Sequence, residues 1–186
     1  MELDKISKVT IFGLAGTGTT SVGELVANAL GSEFLSSGNL FRKKSVELGI
    51  EFSKLEKICL THSKYDLELD KYIEKFGKEK NNFVVESRLA YHFIPDSIKI
   101  KFVCDYATRI QRVARRQNVP TSIASEETNF REMSAEKRYR RYYGIKKLAP
   151  DKQFHLIIDT SRISAEETAA IIVSKFNLSK PKGGKR

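Results

Sequence analysis

A glycine-rich stretch that directly follows an apolar run puts the strongest constraint on how this chain folds. Residues 9–12 have the apolar and β-branched character of a buried strand, and residues 13–20 then bring three glycines. In residues 22–30 the apolar side chains recur at the spacing of one helical face. A strand, a glycine loop and a helix in this order direct backbone N–H groups and the positive end of a helix dipole at one spot. The oxygens of a di- or triphosphate would bind there.

The loop matches the phosphate-binding pattern G-x-x-x-x-G-K-[ST] with one exception. Its outer glycines and its final hydroxyl are in register, but Thr19 occupies the lysine position. Thr20 then takes the place of the hydroxyl that ligates Mg²⁺. An ordinary glycine-rich turn between a strand and a helix is the alternative interpretation. The residues predicted to bind nucleotide phosphates are Gly13, Gly16, Thr17, Gly18, Thr19 and Thr20.

Composition and charge restrict the classes of protein to which the chain can belong. With 186 residues, 40% of them hydrophobic, it suits one compact domain. The apolar runs are shorter than the roughly 20 residues that span a bilayer, and we expect a cytoplasmic monomer. Cys59 and Cys104 lack metal-ligand spacing and are expected to be buried free thiols. A net charge of +10 favours anionic partners, and the basic tail at 179–186 is expected to be disordered and able to contact nucleic acid weakly.

The order of predicted elements indicates an α/β domain with a parallel sheet. Further strands are predicted at 34–35, 83–85, 98–104 and 156–159, with helical patterns between them, and Asn39 is expected to cap the helix that follows the second strand. This order is typical of a three-layer α/β/α fold. The predicted domain covers 1–178, with core segments 8–36, 82–117 and 154–176, a helical insert at about 37–80 and a lid at about 118–145.

Charged side chains gather at positions that could meet a bound phosphate. Glu86 and Arg88 follow a predicted strand, at the edge of the sheet where ligands bind in open α/β proteins. One helical face carries Arg109, Arg112 and Arg116. The alternative to phosphate binding is that these arginines form a solvated basic surface. The segment at 122–143 is rich in arginine and has little apolar anchoring. We therefore expect it to be a lid that closes when its arginines meet phosphate.

Several separate blocks of sequence, taken together, resemble the nucleoside monophosphate kinases, and most closely the archaeal-type cytidylate kinases. The likeness extends to about residue 176, and that family also commonly has threonine in place of the loop lysine. The blocks are Gly-Thr-Gly-Thr-Thr at 16–20, Ser-Gly-Asn-Leu-Phe-Arg at 37–42, Asp-Leu-Glu-Leu-Asp at 66–70, Glu-Ser-Arg-Leu-Ala at 86–90, Arg109 with Arg112, Lys-Arg-Tyr at 137–139 with Tyr-Tyr-Gly at 142–144, and Asp-Thr-Ser at 159–161.

This resemblance implies a P-loop NTPase fold in which the insert binds the acceptor and the γ-phosphoryl group of ATP passes to CMP or dCMP with Mg²⁺. Thr20 would bind the metal and Glu86 would hold its waters, as Mg²⁺ usually keeps several waters. Arg42 and Arg88 would grip the acceptor phosphate, since guanidinium forks match phosphate geometry. Closing around the donor phosphates would be Arg109, Arg112, Arg116, Arg131 and Arg138.

The acceptor pocket is where the sequence leaves most open. Ser37, Gly38 and Asp70 are predicted to contact the acceptor, with Ser37 and Asp70 at the base edge, although Asp70 could instead pair with a lysine along its helix. Ser87 replaces a glycine of the family pattern and Tyr91-His92 replaces a small residue and an aromatic one, and both changes are expected near this pocket. Two alternatives to a CMP kinase are a kinase of AMP, UMP or another small acceptor, and a non-catalytic nucleotide-binding module that contacts RNA.

Overall fold

The computed structural model describes residues 7–62 and 64–178, so the predicted basic tail lies outside the described residues. These residues form a sheet of parallel strands, as the sequence predicts. The strands are β1 (Ser7–Phe12), β2 (Glu33–Ser36), β3 (Asn82–Glu86), β4 (Ile98–Val103) and β5 (Leu156–Asp159). Their spatial order is β2-β3-β1-β4-β5. Val9 at the centre of the sheet pairs with Val84 of β3 and Ile98 of β4.

Helices connect each strand to the next and cover the sheet. They are α1 (Thr19–Leu30), α2 (Ser37–Glu47), α3 (Phe52–Thr61), α4 (Lys64–Glu79), α5 (Ala90–Phe93), α6 (Tyr106–Gln117), α7 (Thr121–Tyr143) and α8 (Ala165–Lys175), with a short 3-10 turn at Asp151–Gln153. Parallel strands require such crossover connections, because a tight turn cannot return the chain to the same end of the sheet.

The core has two layers, one on each face of the sheet. Since side chains alternate along a strand, Val84 faces one way and its neighbours Phe83 and Val85 face the other. Val84 belongs to the cluster that packs against α1 and α8, whereas Phe83 and Val85 pack against α4 and α5. Together with the sheet, these helices make the three-layer α/β/α arrangement that the sequence predicts.

The segment predicted as an insert consists of α2, α3 and α4, between β2 and β3. Ser36, rather than Asn39, caps α2, because the Ser36 hydroxyl accepts the N–H of Asn39 at 3.3 Å. The cap prediction was therefore wrong by one helical turn, since Asn39 already lies inside the helix. Tyr72 of α4 is half exposed.

The segment predicted as a lid is one helix, α7, which packs against α6 and α3. Its buried residues include Ala124, Thr128 and Ala135, so it has more anchoring than its charged sequence indicates. Of the two cysteines, Cys59 is buried as expected, but Cys104 is partly exposed, because β4 ends one residue before it. Among the described helices, none is both long enough and apolar enough to cross a membrane.

Candidate active site

The glycine loop turns between the end of β1 and the start of α1. Gly16 and Gly18 both have left-handed backbone angles, with φ of 85° and 87°, which glycine adopts without steric cost. A Cβ at Gly16 would lie 2.4 Å from the backbone oxygen of Arg109, so the close approach of the loop to α6 also requires glycine. Helix α1 begins at Thr19, and the first N–H groups of a helix have no partner within it. These groups are available to an anion at the loop.

Groups from outside the loop hold its backbone carbonyls. Thr160, just after β5, donates its hydroxyl to the carbonyl of Thr17 at 2.9 Å. Arg112 donates to the carbonyls of Gly16 at 3.4 Å and Thr160 at 2.8 Å. Arg109 donates to the carbonyl of Ala15 at 3.3 Å. With several carbonyls fixed from behind, the loop keeps the conformation that a phosphate needs before any ligand arrives.

Glu86, at the carboxyl end of β3, lies beside the start of α1. Its carboxylate accepts hydrogen bonds from the hydroxyls of Ser36 at 2.5 Å, Thr19 at 3.2 Å and Thr20 at 3.4 Å. The strand register explains this meeting, because Glu86 is paired with Ser36 of β2 and with Ile11 of β1, next to the loop. At the position where the general motif has lysine, the Thr19 hydroxyl thus donates a hydrogen bond to Glu86.

This donor set fits Mg²⁺ in chemistry and in number. Hydroxyl and carboxylate oxygens are the hard ligands that Mg²⁺ prefers, and the metal usually takes few protein ligands besides phosphate oxygens and water. Among the described residues, no lysine or arginine forms an ion pair with Glu86. No group of three or more His, Cys, Asp or Glu side chains in the described chain could form an all-protein cage. The oxygens of Glu86 and Thr20 would thus share a cation with the phosphates of a bound nucleotide and with water.

One cavity of about 510 Å³ joins the glycine loop to the predicted insert and lid. Almost all of the predicted site residues line it, and Glu56, Asp66, Tyr139 and Thr160 line it as well. The predicted residues in its wall are Gly13, Gly16, Thr17, Gly18, Thr19, Thr20, Ser37, Gly38, Arg42, Asp70, Glu86, Arg88, Arg112, Arg116, Arg131 and Arg138.

Arg109 is the predicted site residue that the structure places elsewhere. It is buried and absent from the cavity wall, and it forms an ion pair with Glu132 of α7 at 2.7 Å. The sequence spacing correctly puts Arg109 on one helical face with Arg112 and Arg116. That spacing carries no information about a carboxylate on another helix. A phosphate contact by Arg109, which stays a prediction, would require Glu132 to release it.

Several of the arginines that line the cavity lie close to one another. Burial lowers the pKa of Arg116 from its usual range, and the nearby charges of Arg42 and Arg131 lower it further, while Glu86 raises it. The guanidinium of Arg131 lies 4.6 Å from the ring centre of Phe52, and that of Arg42 lies 5.6 Å from the same centre. Like charges held this close favour the binding of an anion between them.

Three contacts link the insert to α7 at the far end of the cavity. Arg131 donates to Glu56 at 2.8 Å, Arg138 lies 2.9 Å from Asp66, and Tyr143 donates its hydroxyl to Asp70 at 2.6 Å. Burial raises the pKa of Asp70 to about 6, although the Tyr143 hydrogen bond lowers it. Reasoning from residues alone missed Asp66. Its sequence signal is the spacing of four residues from Asp70, which puts both carboxylates on one face of α4.

The two departures from the family pattern, at Ser87 and at Tyr91-His92, differ in their position relative to the cavity. Ser87 lines the cavity as expected, and its buried hydroxyl accepts the N–H of Leu89 at 3.2 Å. The expectation for Tyr91 was wrong: its ring packs against Phe12 and Phe154, and its hydroxyl accepts the N–H of Ala149 at 3.0 Å. Tyr91 and His92 are absent from the cavity wall.

Residues 8–162 match the cytidylate kinase-like family. The chain belongs to this family. A cytidylate kinase from Methanobrevibacter smithii is 31% identical over 170 residues, which are 91% of this chain and 98% of that relative. Another from Desulfurococcus amylolyticus is 33% identical over 169 residues, which are 90% of this chain and 91% of the relative.

A solved structure of a shikimate kinase from Bacteroides thetaiotaomicron superposes with a TM-score of 0.63 at 12% identity. The match covers 92% of this chain and 99% of the other, and it shows that the two share the α/β fold of P-loop kinases. As a member of the cytidylate kinase-like family, the protein is an ATP-dependent nucleoside monophosphate kinase. Family membership thus favours a kinase over the alternative of a non-catalytic nucleotide-binding module.

Proposed function

We propose that the protein transfers the γ-phosphoryl group of ATP to CMP or dCMP. The observation that carries the proposal is that the glycine loop and the insert line the same cavity. A kinase that moves a phosphoryl group directly between two nucleotides needs both to be bound in one space. The names of the archaeal relatives, cytidylate kinases at about 30% identity, support CMP as the acceptor.

On the donor side, the N–H groups of residues 13–20 would hold the β-phosphate. The hydroxyl of Thr20 and the carboxylate of Glu86 would hold Mg²⁺, directly or through water. When bound, the metal supplies positive charge that neutralises the phosphate oxygens. Thr160 and Arg112 would keep the loop in its binding conformation through the carbonyls of Thr17 and Gly16.

On the acceptor side, Arg42 and Arg88 would grip the phosphate of the nucleoside monophosphate. Arg88 follows β3 two residues after Glu86, so the acceptor phosphate would lie close to the end of the glycine loop. That phosphate is already an anion, so it can attack without first losing a proton. Within the described residues, no histidine lines the cavity. The chain's contribution is therefore positioning and charge, which phosphoryl transfer chiefly requires.

The arginines near α7 would complete the site. Arg116 and Arg131 face the same space as Arg42, and a transferring phosphoryl group would relieve their mutual repulsion. The division into core segments at 8–36, 82–117 and 154–176, insert and lid is part of the proposal. In it, the lid moves toward the loop when ATP and the acceptor are both bound. Cytoplasmic location, a monomeric state and RNA contact by the tail stay predictions.

The test is an acceptor panel. Purified protein is incubated with ATP and Mg²⁺ and, in turn, CMP, dCMP, UMP and AMP, and ADP formation is followed. We expect CMP and dCMP to give the highest kcat/KM, and chelation of Mg²⁺ to stop the reaction. A higher kcat/KM with AMP or UMP would move the assignment to that acceptor. If no acceptor raises ADP formation above background, the proposal is wrong.

A matched control excludes contaminating kinases. Arg88→Ala, purified in the same way, should lose acceptor turnover severely while its unfolding transition stays close to that of the wild type. Full activity in this variant would show that the measured turnover does not come from the proposed acceptor site.

A further inference from the structure

The ion pair between Asp66 of α4 and Arg138 of α7 has unused hydrogen-bonding capacity. The Arg138 Nε and the Asp66 Oδ2 are 2.9 Å apart, and the two side chains are only 10% and 13% exposed. Even so, neither atom makes a hydrogen bond of acceptable geometry with any described residue, because the N–H is not directed at the oxygen. Buried polar atoms are nearly always hydrogen-bonded, so this pair has the capacity to bind a further polar group.

The neighbouring contacts between the insert and α7 do not share this property. Arg131 donates a well-formed hydrogen bond to Glu56, and Asp70 accepts the hydroxyl of Tyr143. At these contacts, the atoms left unsatisfied are thus one carboxylate oxygen and one guanidinium N–H, both buried within side chains that line the cavity. Turned toward the cavity, the pair would offer an acceptor and a donor to a ligand there.

The surroundings suit a flat aromatic ligand next to a phosphate. Leu69 and Tyr139, on the same two helices, line the cavity beside the pair. Burial raises the pKa of the Tyr139 hydroxyl, and the nearby Arg88 acts in the opposite direction. Arg88, the proposed clamp for the acceptor phosphate, is therefore close to this region. A nucleotide whose phosphate meets Arg88 would bring its base toward Asp66 and Arg138.

We propose that Asp66 and Arg138 bind the Watson–Crick edge of the acceptor base and select bases that carry an amino group next to a ring-nitrogen acceptor. This inference rests on the proposed function. Cytosine fits: its 4-amino group donates to the Asp66 carboxylate, and N3 accepts from the Arg138 guanidinium. Uracil presents the reverse, with O4 facing the carboxylate and N3–H facing the guanidinium.

The same order of groups occurs in adenine, whose 6-amino group and N1 also form a donor and an acceptor. The pair therefore separates cytosine from uracil, whereas the size of the ring must separate cytosine from adenine. This assignment gives Arg138 a role at the base instead of the predicted role at the donor phosphates. It also moves the decisive base contact from Asp70, which is occupied by Tyr143, to Asp66 one turn earlier on α4.

The test compares CMP and UMP as acceptors for the wild type and Asp66→Asn. The asparagine amide can donate to O4 of uracil, so the ratio of kcat/KM for CMP to that for UMP should fall by roughly tenfold or more, as expected when a hydrogen bond to a charged group is lost. Glu68→Gln removes a negative charge from the exposed face of the same helix and should leave this ratio unchanged. Glu56→Gln breaks the other ion pair between the insert and α7 and should change both acceptors by the same factor.

If Asp66→Asn lowers kcat/KM for both acceptors equally, Asp66 is a structural residue and the inference is overturned. A second measurement does not depend on the variant folding: a CMP analogue without the 4-amino group is offered to the wild type. We expect its kcat/KM to be roughly tenfold or more below that of CMP, and equal values would overturn the inference.

Failure of the proposed function can be recognised separately. If the wild type phosphorylates none of the acceptors, calorimetry with CMP and UMP still tests the base contact. Tighter binding of CMP by the wild type, with the preference lost in Asp66→Asn, supports the inference. Equal affinities for the two nucleotides overturn it.

Discussion

Thr19 illustrates how one residue changes the charge balance of the glycine loop. Its hydroxyl donates to Glu86 at 3.2 Å, and its side chain is buried at the start of α1. A lysine at this position would bring a positive charge into the loop. Here the positive charge near the loop comes from other elements, with Arg42, Arg116 and Arg131 close enough to influence one another. We infer that arginines take over the task of the motif lysine.

Restoring the lysine tests this inference. In Thr19→Lys, the new ammonium group would pair with Glu86 and compete with the metal, so we expect no gain in kcat and a loss of up to roughly a hundredfold. The measurement is kcat with ATP, Mg²⁺ and the acceptor found in the panel. Thr19→Val is the matched control, since it removes the hydroxyl without adding charge. A large increase in kcat for Thr19→Lys would contradict the inference.

At the residue level, the sequence predicted most of the cavity wall but not its internal pairing. The motif spacing placed residues 13–20 and Glu86 correctly because strand, loop and helix are adjacent in the chain. By contrast, the contacts of Arg109 with Glu132 and of Arg138 with Asp66 join helices that are distant in sequence. Periodicity identifies the face of a helix on which a side chain lies, but not the group that faces it from another helix.

At the scale of whole elements, the sequence predicts helix α7 itself but not the elements that α7 contacts. Its helical character and its end at Gly144 follow from the sequence, as does its arginine content. Its contacts with the insert do not, because they depend on where α3 and α4 pack. The carboxylates of Glu56, Asp66 and Asp70 hold side chains of α7 in this conformation. Closure of α7 on phosphates would therefore exchange Glu56 for ligand oxygens at Arg131.

The Asp70 carboxylate is predicted to make the fold less stable at neutral pH. Burial raises its pKa from 3.8 to about 6. Above pH 6 the folded chain therefore carries a buried negative charge, which costs free energy, whereas the same charge is solvated in the unfolded chain. As the pH falls from 6 toward 4, the folded chain binds the proton first and this penalty disappears. Asp70→Asn, which imitates the protonated group, should be more stable than the wild type at pH 7.5 by on the order of 1–3 kcal/mol.

Urea unfolding of the wild type and Asp70→Asn at pH 7.5 and pH 4.5 measures this effect. The difference in unfolding free energy should be large at the higher pH and small at the lower one. The exposed Glu68→Gln serves as the control and should show no such change. A variant that is less stable than the wild type at pH 7.5 would mean that the charged form of Asp70 is needed for its contact with Tyr143.

For the molecule as a whole, the parallel sheet gathers the site at one edge. Parallel strands end on the same side, so the residues after β1, β2, β3 and β5 all meet there, and each contributes to the cavity. The parallel sheet and its helical layers could be predicted from the alternation of apolar runs and helical patterns. The strand order β2-β3-β1-β4-β5 could not, because it depends on pairing between distant segments that local spacing does not encode.

The end of the described chain gives a prediction about what the whole fold requires. Leu178 is buried in the cluster that α1 and α8 form with the sheet, and its N–H donates to the carbonyl of Val173 at 3.0 Å. A protein truncated after Leu178 should keep the turnover and unfolding transition of the full chain. Truncation after Asn177, which removes Leu178 as well, should cost about 1.5–3 kcal/mol of stability from the lost burial of Leu178.

Thermal unfolding and turnover of the two truncated proteins, side by side with the full chain, separate the two contributions. If only the protein that lacks Leu178 loses stability, the core ends at Leu178, as its burial indicates. A marked loss of turnover in the protein that ends at Leu178 would instead give residues 179–186 a part in catalysis. Their basic side chains would then act on the nucleotide substrates together with the cavity residues.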